Sequence, residues 1–317
     1  MLKTTDYAMR GKRVDQAESL RELVRKRNET KFGNQSEIEK KNRMKKNYDR
    51  VRTIAITSGK GGVGKTNITA NLACMLAKMN KKTLVLDADV GLANIDVVLG
   101  LTPKYNLHHV LTGERRLSEV IVAGPGGVKI LPSASGIHEM TDLSRGQKLT
   151  LLDDLNSIKE SLDFMLIDTG AGIAGNVMYF NMAAREIIVV TSPEPTSLTD
   201  AYALIKVLYQ RYAKKRFRLL INMVRSAAEA NKVYLRLSSA TDHFLNLNIE
   251  FMGYILHDKK LQEAVKLRKA LVELYPDSKA SLCVKKVAEK ICEENPEYDE
   301  SGSISFFGEK ILGNECR

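Results

Sequence analysis

At 317 residues the chain can bury a large core, and its length allows one big α/β domain or two small ones. Its 44% hydrophobic and 27% charged content suits a soluble globular protein, and no run of about 18 apolar residues exists, which excludes a membrane-spanning helix. The net charge of +11 is uneven: residues 1–50 hold 15 Lys and Arg against 8 Asp and Glu, whereas the other 267 residues hold 34 against 30.

A basic leader suits an acidic partner, nucleic acid or anionic lipid, and charge alone is equally consistent with a solvated leader. It opens M-L-K-T-T-D-Y without an apolar signal core, which predicts a cytosolic protein. Between Val14 and Val24, Ala17, Leu20 and Val24 fall at i, i+3 and i+7 with Leu23 beside them, a small apolar helix face. A helix this short is marginal in water and is expected to fold fully only on a partner. Residues 25–50 are polar and charged and read as a linker.

Residues 53–57 (T-I-A-I-T) form an apolar, β-branched run, as in a buried parallel strand. Gly59, Lys60, Gly61, Gly62, Val63, Gly64, Lys65 and Thr66 follow as G-K-G-G-V-G-K-T. Beyond Asn67, Ile68, Leu72, Met75, Leu76 and Met79 recur at helical spacing. Strand, glycine loop and helix in that order mark a phosphate-binding loop. Its glycines let backbone N–H groups converge on a polyphosphate at the start of a helix. Lys65 is placed to reach the β- and γ-phosphates and the Thr66 hydroxyl to ligate Mg²⁺, so ATP and Mg²⁺ are the expected ligands. Lys60 is one lysine more than such a loop needs.

Further strand-like runs at 83–87, 128–131, 164–167, 187–191, 218–221 and 251–255 alternate with helical patterns. The alternation predicts one domain over 51–292, a doubly wound, mainly parallel sheet with helices on both faces. Ligands of such sheets lie beyond the carboxyl ends of the strands. Asp87-Ala88-Asp89 and Asp168-Thr169-Gly170 fall there. An apolar run ending in Asp holds Mg²⁺ directly or through water, which nominates Asp87 and Asp168, with Thr66, as metal-site residues. Asp89, on the turn after its strand, is the candidate for orienting the attacking water; a helix-capping aspartate is the alternative. Cys74, Cys283, Cys292 and Cys316 lack C-x-x-C spacing and read as reduced thiols, with Cys74 as core filler. His108 and His109 are adjacent and so do not share a helix face, which argues against a metal site there.

Residues 293–302 read as an acidic, turn-rich linker and 303–317 as an amphipathic end. On a helical wheel Ile304, Phe307, Ile311 and Leu312 share an arc of about 140°, with Phe306 outside it. Lys310 and Arg317 balance Glu309 and Glu315, so one copy is expected to bind lipid weakly and two copies together to hold. A helix docked on its own domain is the alternative.

Together, G-K-G-G-V-G-K-T, D-A-D-V-G-L-A-N-I-D, L-I-D-T-G-A-G-I and T-S-P-E-P-T-S-L-T-D-A-Y resemble the MinD/ParA class of deviant P-loop ATPases, over residues 51 to about 292. The resemblance implies the P-loop NTPase fold (SIMIBI-like), an ATP-dependent homodimer on a membrane, and slow hydrolysis that releases the monomer. It implies that Lys60 reaches the partner's nucleotide, that Lys60, Lys65 and Asp89 carry catalysis, and that Gly59 to Asn67 surround the phosphates. In the same comparison Asp87 supports the metal shell and Asp168 contacts Mg²⁺ through water. Asn222 matches the position that reads the adenine, and Asp200 lies where relatives engage partner proteins. Asn67 replaces a common threonine, and Gly170 stands where many cell-division members have proline. That D-T-G-A-G form is similar to the flagellar-number branch (FlhG/FleN type).

Asp15, Gln16, Ala17, Leu20 and Arg21 match the D-Q-A-x-x-L-R by which that branch activates a flagellar signal-recognition-type GTPase (FlhF type). Gln16 is the water-positioning candidate by analogy with other GTPases. The resemblance further implies reversible residence on the inner face of the cell membrane, at a pole, through Ile304, Phe306, Phe307, Ile311 and Leu312. Flagellar switch (C-ring) proteins or a transcription regulator are the further partners it suggests. Division-site placement, and DNA partition or transcription regulation, are the competing roles for such a domain.

Overall fold

The computed structural model describes residues 51–89, 94–132, 154 and 162–294. The run at 53–57 lies in strand β1 (Arg52–Ser58), buried along its whole length. Helix α1 (Lys65–Lys78) follows the glycine loop and leads to β2 (Thr83–Ala88). It ends where Asn80 turns to φ 59° and the Lys81 N–H returns to the Leu76 carbonyl. Short helices α2 (Ile95–Val98), α3 (Leu107–Leu111) and α4 (Leu117–Val120) precede β3 (Val122–Ala123) and β4 (Lys129–Leu131). The second half runs β5 (Phe164–Ala171), α5 (Gly175–Ala183), β6 (Glu186–Thr191), α6 (Pro195–Tyr212), β7 (Arg218–Val224), α7 (Ala227–Leu245) and β8 (Glu250–Leu256). Helices α8 (Lys259–Lys266), α9 (Leu271–Leu274) and α10 (Lys279–Glu293) close the described part.

The strands form one sheet in the order β3-β4-β2-β5-β1-β6-β7-β8. Every neighbouring pair is parallel except β3 with β4. The doubly wound sheet expected from sequence is present, with one addition: β3 is an antiparallel edge strand of two residues, too short to leave a period. Successive side chains leave opposite faces of a strand. Ile54, Ile56, Val85, Leu166, Ile188 and Leu220 accordingly pack with α1, α9 and α10. Leu84, Leu86, Met165 and Ile167 pack instead with α3, α4 and α5, and Val189, Leu219 and Ile221 with α6 and α7. Each fully buried Leu or Ile contributes roughly 1.5–3 kcal/mol, so both helix layers are held by the sheet's alternation. Cys74 lies in this core, and burial first, Glu273 second, pushes its thiol up to about 12.

Parallel strands put their N-terminal ends on one edge, and a buried ion cluster ties that edge together. The Arg52 guanidinium grips Glu186 with bonds of 2.7 and 2.8 Å, and Arg218 adds one of 3.2 Å. Arg52 also donates to the carbonyls of Ile291 and Glu294, which fastens the end of α10 to the start of β1. Removing one partner of a buried pair leaves an uncompensated charge and costs about 3–5 kcal/mol. Glu186→Ala is expected to lower the unfolding free energy by that amount, read from the denaturant midpoint. Glu250, whose carboxylate is 60% exposed, meets the same Arg218 at 3.3 Å. Its loss is expected to cost less than about 1 kcal/mol.

Candidate nucleotide site

The chain leaves β1 toward β2 on one side, while β6 lies on the other, so the sheet's order reverses at β1. Ligands of doubly wound sheets bind at such a switch point. The glycine loop stands there and feeds α1. Its N-cap Gly64 has φ 84°, no side chain caps the helix, and its first turn has no acidic residue. The free first-turn N–H groups and the helix dipole therefore favour an anion. Two glycines of the loop do different work. A Cβ on Gly59 would stand 2.1 Å from the backbone oxygen of Asp200, whereas one on Gly61 would meet nothing within 4 Å. Gly59 lets the loop press on α6, and Gly61 leaves the cradle open.

Strands β2 and β5 place Asp87 and Asp168 side by side as register partners. They are 2% and 1% exposed. Lys65 Nζ lies 2.9 Å from Asp168 Oδ1, the Thr69 hydroxyl donates to the same oxygen at 3.0 Å, and the Thr66 hydroxyl also reaches this carboxylate. Asp168 Oδ2 is buried without a hydrogen-bond partner. An unanswered carboxylate oxygen beside a second carboxylate and a threonine hydroxyl is a hard-oxygen set of the kind Mg²⁺ takes, directly or through water. The residues present therefore fit that ion. Burial raises Asp168 despite Lys65, and burial first, Asp168 second, pushes Asp87 from the ordinary 3.8 up to about 7.

Asp87 has a second role that the sequence reading missed. Its Oδ1 accepts the Asp89 N–H at 3.1 Å, and its Oδ2 accepts those of Asn94 and Ile95 at 3.1 and 3.3 Å. Asp87 is thus a carboxylate that holds the start of α2; only a buried acidic side chain after an apolar run hinted at it. A carboxyl raised on folding keeps its proton longer in the folded state, so its contribution to stability falls as pH climbs from about 4 to about 7. The Tm of Asp87→Asn relative to the parent is expected to improve over that window and to level off above it. The bonds lost with the carboxylate shift the difference at every pH alike and leave this slope.

Lys60 Nζ is paired with Glu194 Oε2 at 2.7 Å and donates to Thr196 Oγ1 at 2.9 Å, with 37% of its side chain exposed. Both partners lie in the quoted T-S-P-E-P-T stretch, but neither was singled out from sequence. Asp89 stands beside Gly170, where an added Cβ would come 3.6 Å from its Oδ1. Asn222 bridges β7 to the loop: its Nδ2 donates to the Val63 carbonyl at 2.8 Å and its Oδ1 accepts the Met223 N–H at 2.9 Å. Met223 itself holds a left-handed φ of 60° and is 39% exposed at the loop. Asn67 Oδ1 is buried without a hydrogen-bond partner, and Asp200 is half-buried on α6. Gly59 to Thr66, Asp87, Asp89, Asp168 and Asn222 are thus gathered at one end of the sheet. The motif residues 90–93, the leader set Asp15, Gln16, Ala17, Leu20 and Arg21, and the terminal set Ile304, Phe306, Phe307, Ile311 and Leu312 lie outside the described residues. No helix among the described residues is long and apolar enough to cross a membrane.

Comparison with known proteins agrees with this geometry. A family model described as an AAA domain matches residues 51–221. The antiactivator FleN of Pseudomonas aeruginosa is 44% identical over 83% of this chain and 94% of its own. The flagellum site-determining protein YlxH of Helicobacter pylori is 37% identical over 76% of this chain and 82% of its own. Among solved structures, the Pyrococcus furiosus cell division ATPase MinD superposes with a TM-score of 0.61 at 28% identity, covering 76% of this chain and 98% of that one. MinD of Pyrococcus horikoshii, solved with Mg-ADP, gives 0.61 at 29% identity over 76% of this chain and 96% of that one. The chain belongs to the MinD/ParA family of P-loop ATPases, in its FleN/FlhG-type flagellar-number branch.

Proposed function

We propose that the chain is an ATPase that closes a homodimer on Mg-ATP, holds the inner membrane reversibly through residues 303–317, and sets flagellar number by activating a flagellar signal-recognition-type GTPase through its leader. The observation that carries this reading is the placement of Lys60: a cation at the rim of the phosphate loop, half-exposed, on a side chain long enough to cross to a second copy. Loop N–H groups and Lys65 bind the phosphates, while the Thr66 hydroxyl and the Asp168 and Asp87 carboxylates hold the metal and its waters. A Mg²⁺ held by these groups would supply positive charge to offset that of the phosphate oxygens. To cross, Lys60 leaves Glu194 and Thr196, so dimer closure and the N-terminus of α6 are linked. Asp89 orients the water for hydrolysis, and loss of the γ-phosphate opens the dimer. Gly59 packs against the carbonyl of Asp200, so a partner bound at that segment would press on the loop itself.

The test mixes the full chain, or the chain lacking residues 1–27, with a flagellar GTPase and follows GTP turnover. Stimulation by the full chain, lost on deletion while ATPase activity remains, is the expected result. Equal GTP turnover with and without the leader would remove the activator role.

A further inference from the structure

We infer that Met223 is a specificity residue of the nucleotide site, its thioether lying against the base of a nucleotide held in the phosphate loop; this rests on the nucleotide reading of that loop. Among the described residues, Asn80, Ala213, Met223, Asn246 and Arg268 have a left-handed backbone without being glycine. Asn80, Ala213, Asn246 and Arg268 stand at the ends of α1, α6, α7 and α8, where a left-handed residue closes the last turn. Met223 has no helix to close, because it lies inside strand β7. A bulky side chain on such a backbone persists only where its surroundings hold it, and such positions cluster at ligand sites.

What holds it is a bulge. From the pair Ile221–Tyr254 to the pair Val224–Leu256, β7 advances by one residue more than β8. Bulges of this kind re-aim side chains beside active sites. Asn222 Oδ1 takes the Met223 N–H at 2.9 Å, and Asn222 Nδ2 donates to the Val63 carbonyl at 2.8 Å, so the bulge is tied to the phosphate loop. Gly64 leaves the room: a Cβ there would stand 2.5 Å from Asn222 Nδ2 and 3.4 Å from Met223 Cε. Leu219 to Asn222 and Val224 are buried, whereas Met223 is exposed. The outcome is an open thioether beside the N-cap of α1, where the phosphates bind.

Its position selects the base as its contact. Lys65, the cation for the terminal phosphates, lies 2.9 Å from Asp168 on β5, to one side of β1. The nucleoside then leads away to the other side, where β6 and β7 end. A methionine offers a phosphate nothing, but its polarisable sulfur packs favourably on an aromatic ring, and a nucleobase is one.

Glycine and asparagine both accept a left-handed backbone, so Met223→Gly and Met223→Asn remove the thioether and keep the bulge. Calorimetry on the full chain measures affinity for Mg-ATP and for inorganic tripolyphosphate with Mg²⁺, which carries phosphates without a base. Both variants are expected to lose about five- to tenfold on ATP and to hold tripolyphosphate within about twofold. Met223→Leu keeps the apolar bulk and is expected to stay within about twofold on both ligands. Without nucleotide, the Tm of Met223→Gly is expected not to fall, since glycine holds this φ without strain. Equal losses on both ligands would make Met223 a prop for the loop, and unchanged ATP affinity would leave the thioether without a base. Either result overturns this inference and spares the nucleotide reading. A parent that binds neither ligand overturns both.

Discussion

Asp89→Ala is expected to bind ATP and dimerise as the parent does, while its ATP turnover falls by about 10²- to 10⁴-fold, the usual contribution of a positioned acid or base. The reason lies in which groups build the phosphate cradle and the turn beside it. The phosphate cradle is built from the glycine loop and α1, and the turn after β2 is organised by Asp87, which accepts the N–H groups of Asp89, Asn94 and Ile95. Alanine at position 89 keeps its N–H and therefore its bond to Asp87. The change removes the carboxylate beside Gly170. Asp87→Ala would remove the turn's organiser and impair binding and turnover together, so the two variants separate a chemical role from a structural one. Binding of a fluorescent ATP analogue and single-turnover phosphate release measure the two quantities. Normal turnover in Asp89→Ala would remove the residue from the mechanism.

Gly59→Ala is expected to be the most damaging single-methyl change in the loop. Its Cβ would fall 2.1 Å from the Asp200 oxygen, 2.2 Å from the Asp200 carbonyl carbon and 2.6 Å from the Ala201 nitrogen. All three are backbone atoms of α6, so no side chain can swing away. Overpacking of this kind typically costs about 1–3 kcal/mol, and here the strain falls on the loop that binds phosphate. Both Tm and ATP affinity should drop. Gly61→Ala is the matched comparison: nothing lies within 4 Å of its added carbon, and its backbone is not left-handed. It should leave Tm unchanged and weaken ATP binding alone, because the carbon enters the cradle. Thermal melts and nucleotide titrations on the pair decide the point. Equal melting temperatures would mean that the contact between Gly59 and α6 is slack.

Most of the site was legible because its chemistry is local in sequence. The glycine loop, the strand before it and the helix after it are one continuous stretch, and the strand-end aspartates announce themselves by following apolar runs. The register pairing of Asp87 with Asp168 followed only from the parallel sheet, since the two residues are far apart in the chain. Lys60 was recognised as surplus, yet its partners Glu194 and Thr196 were not, because nothing in a P-E-P-T turn states which loop it will face. Asn222 was assigned to the adenine by resemblance, and its bridge from β7 to Val63 depends on how two distant segments meet. The Arg52–Glu186–Arg218 cluster was likewise invisible: charged residues at strand starts read as surface until the end of α10 covers them. Strand β3 failed for a simpler reason, having two residues and hence no period.

The central claim is that ATP closes a homodimer through Lys60, and mass in solution tests it most directly. Light scattering on the full chain with Mg²⁺ and either ADP or a non-hydrolysable ATP analogue should give monomer with ADP and dimer with the analogue, and Lys60→Ala should stay monomeric with both. A parent of the same mass in either nucleotide, or a Lys60→Ala variant that dimerises as readily as the parent, would contradict it.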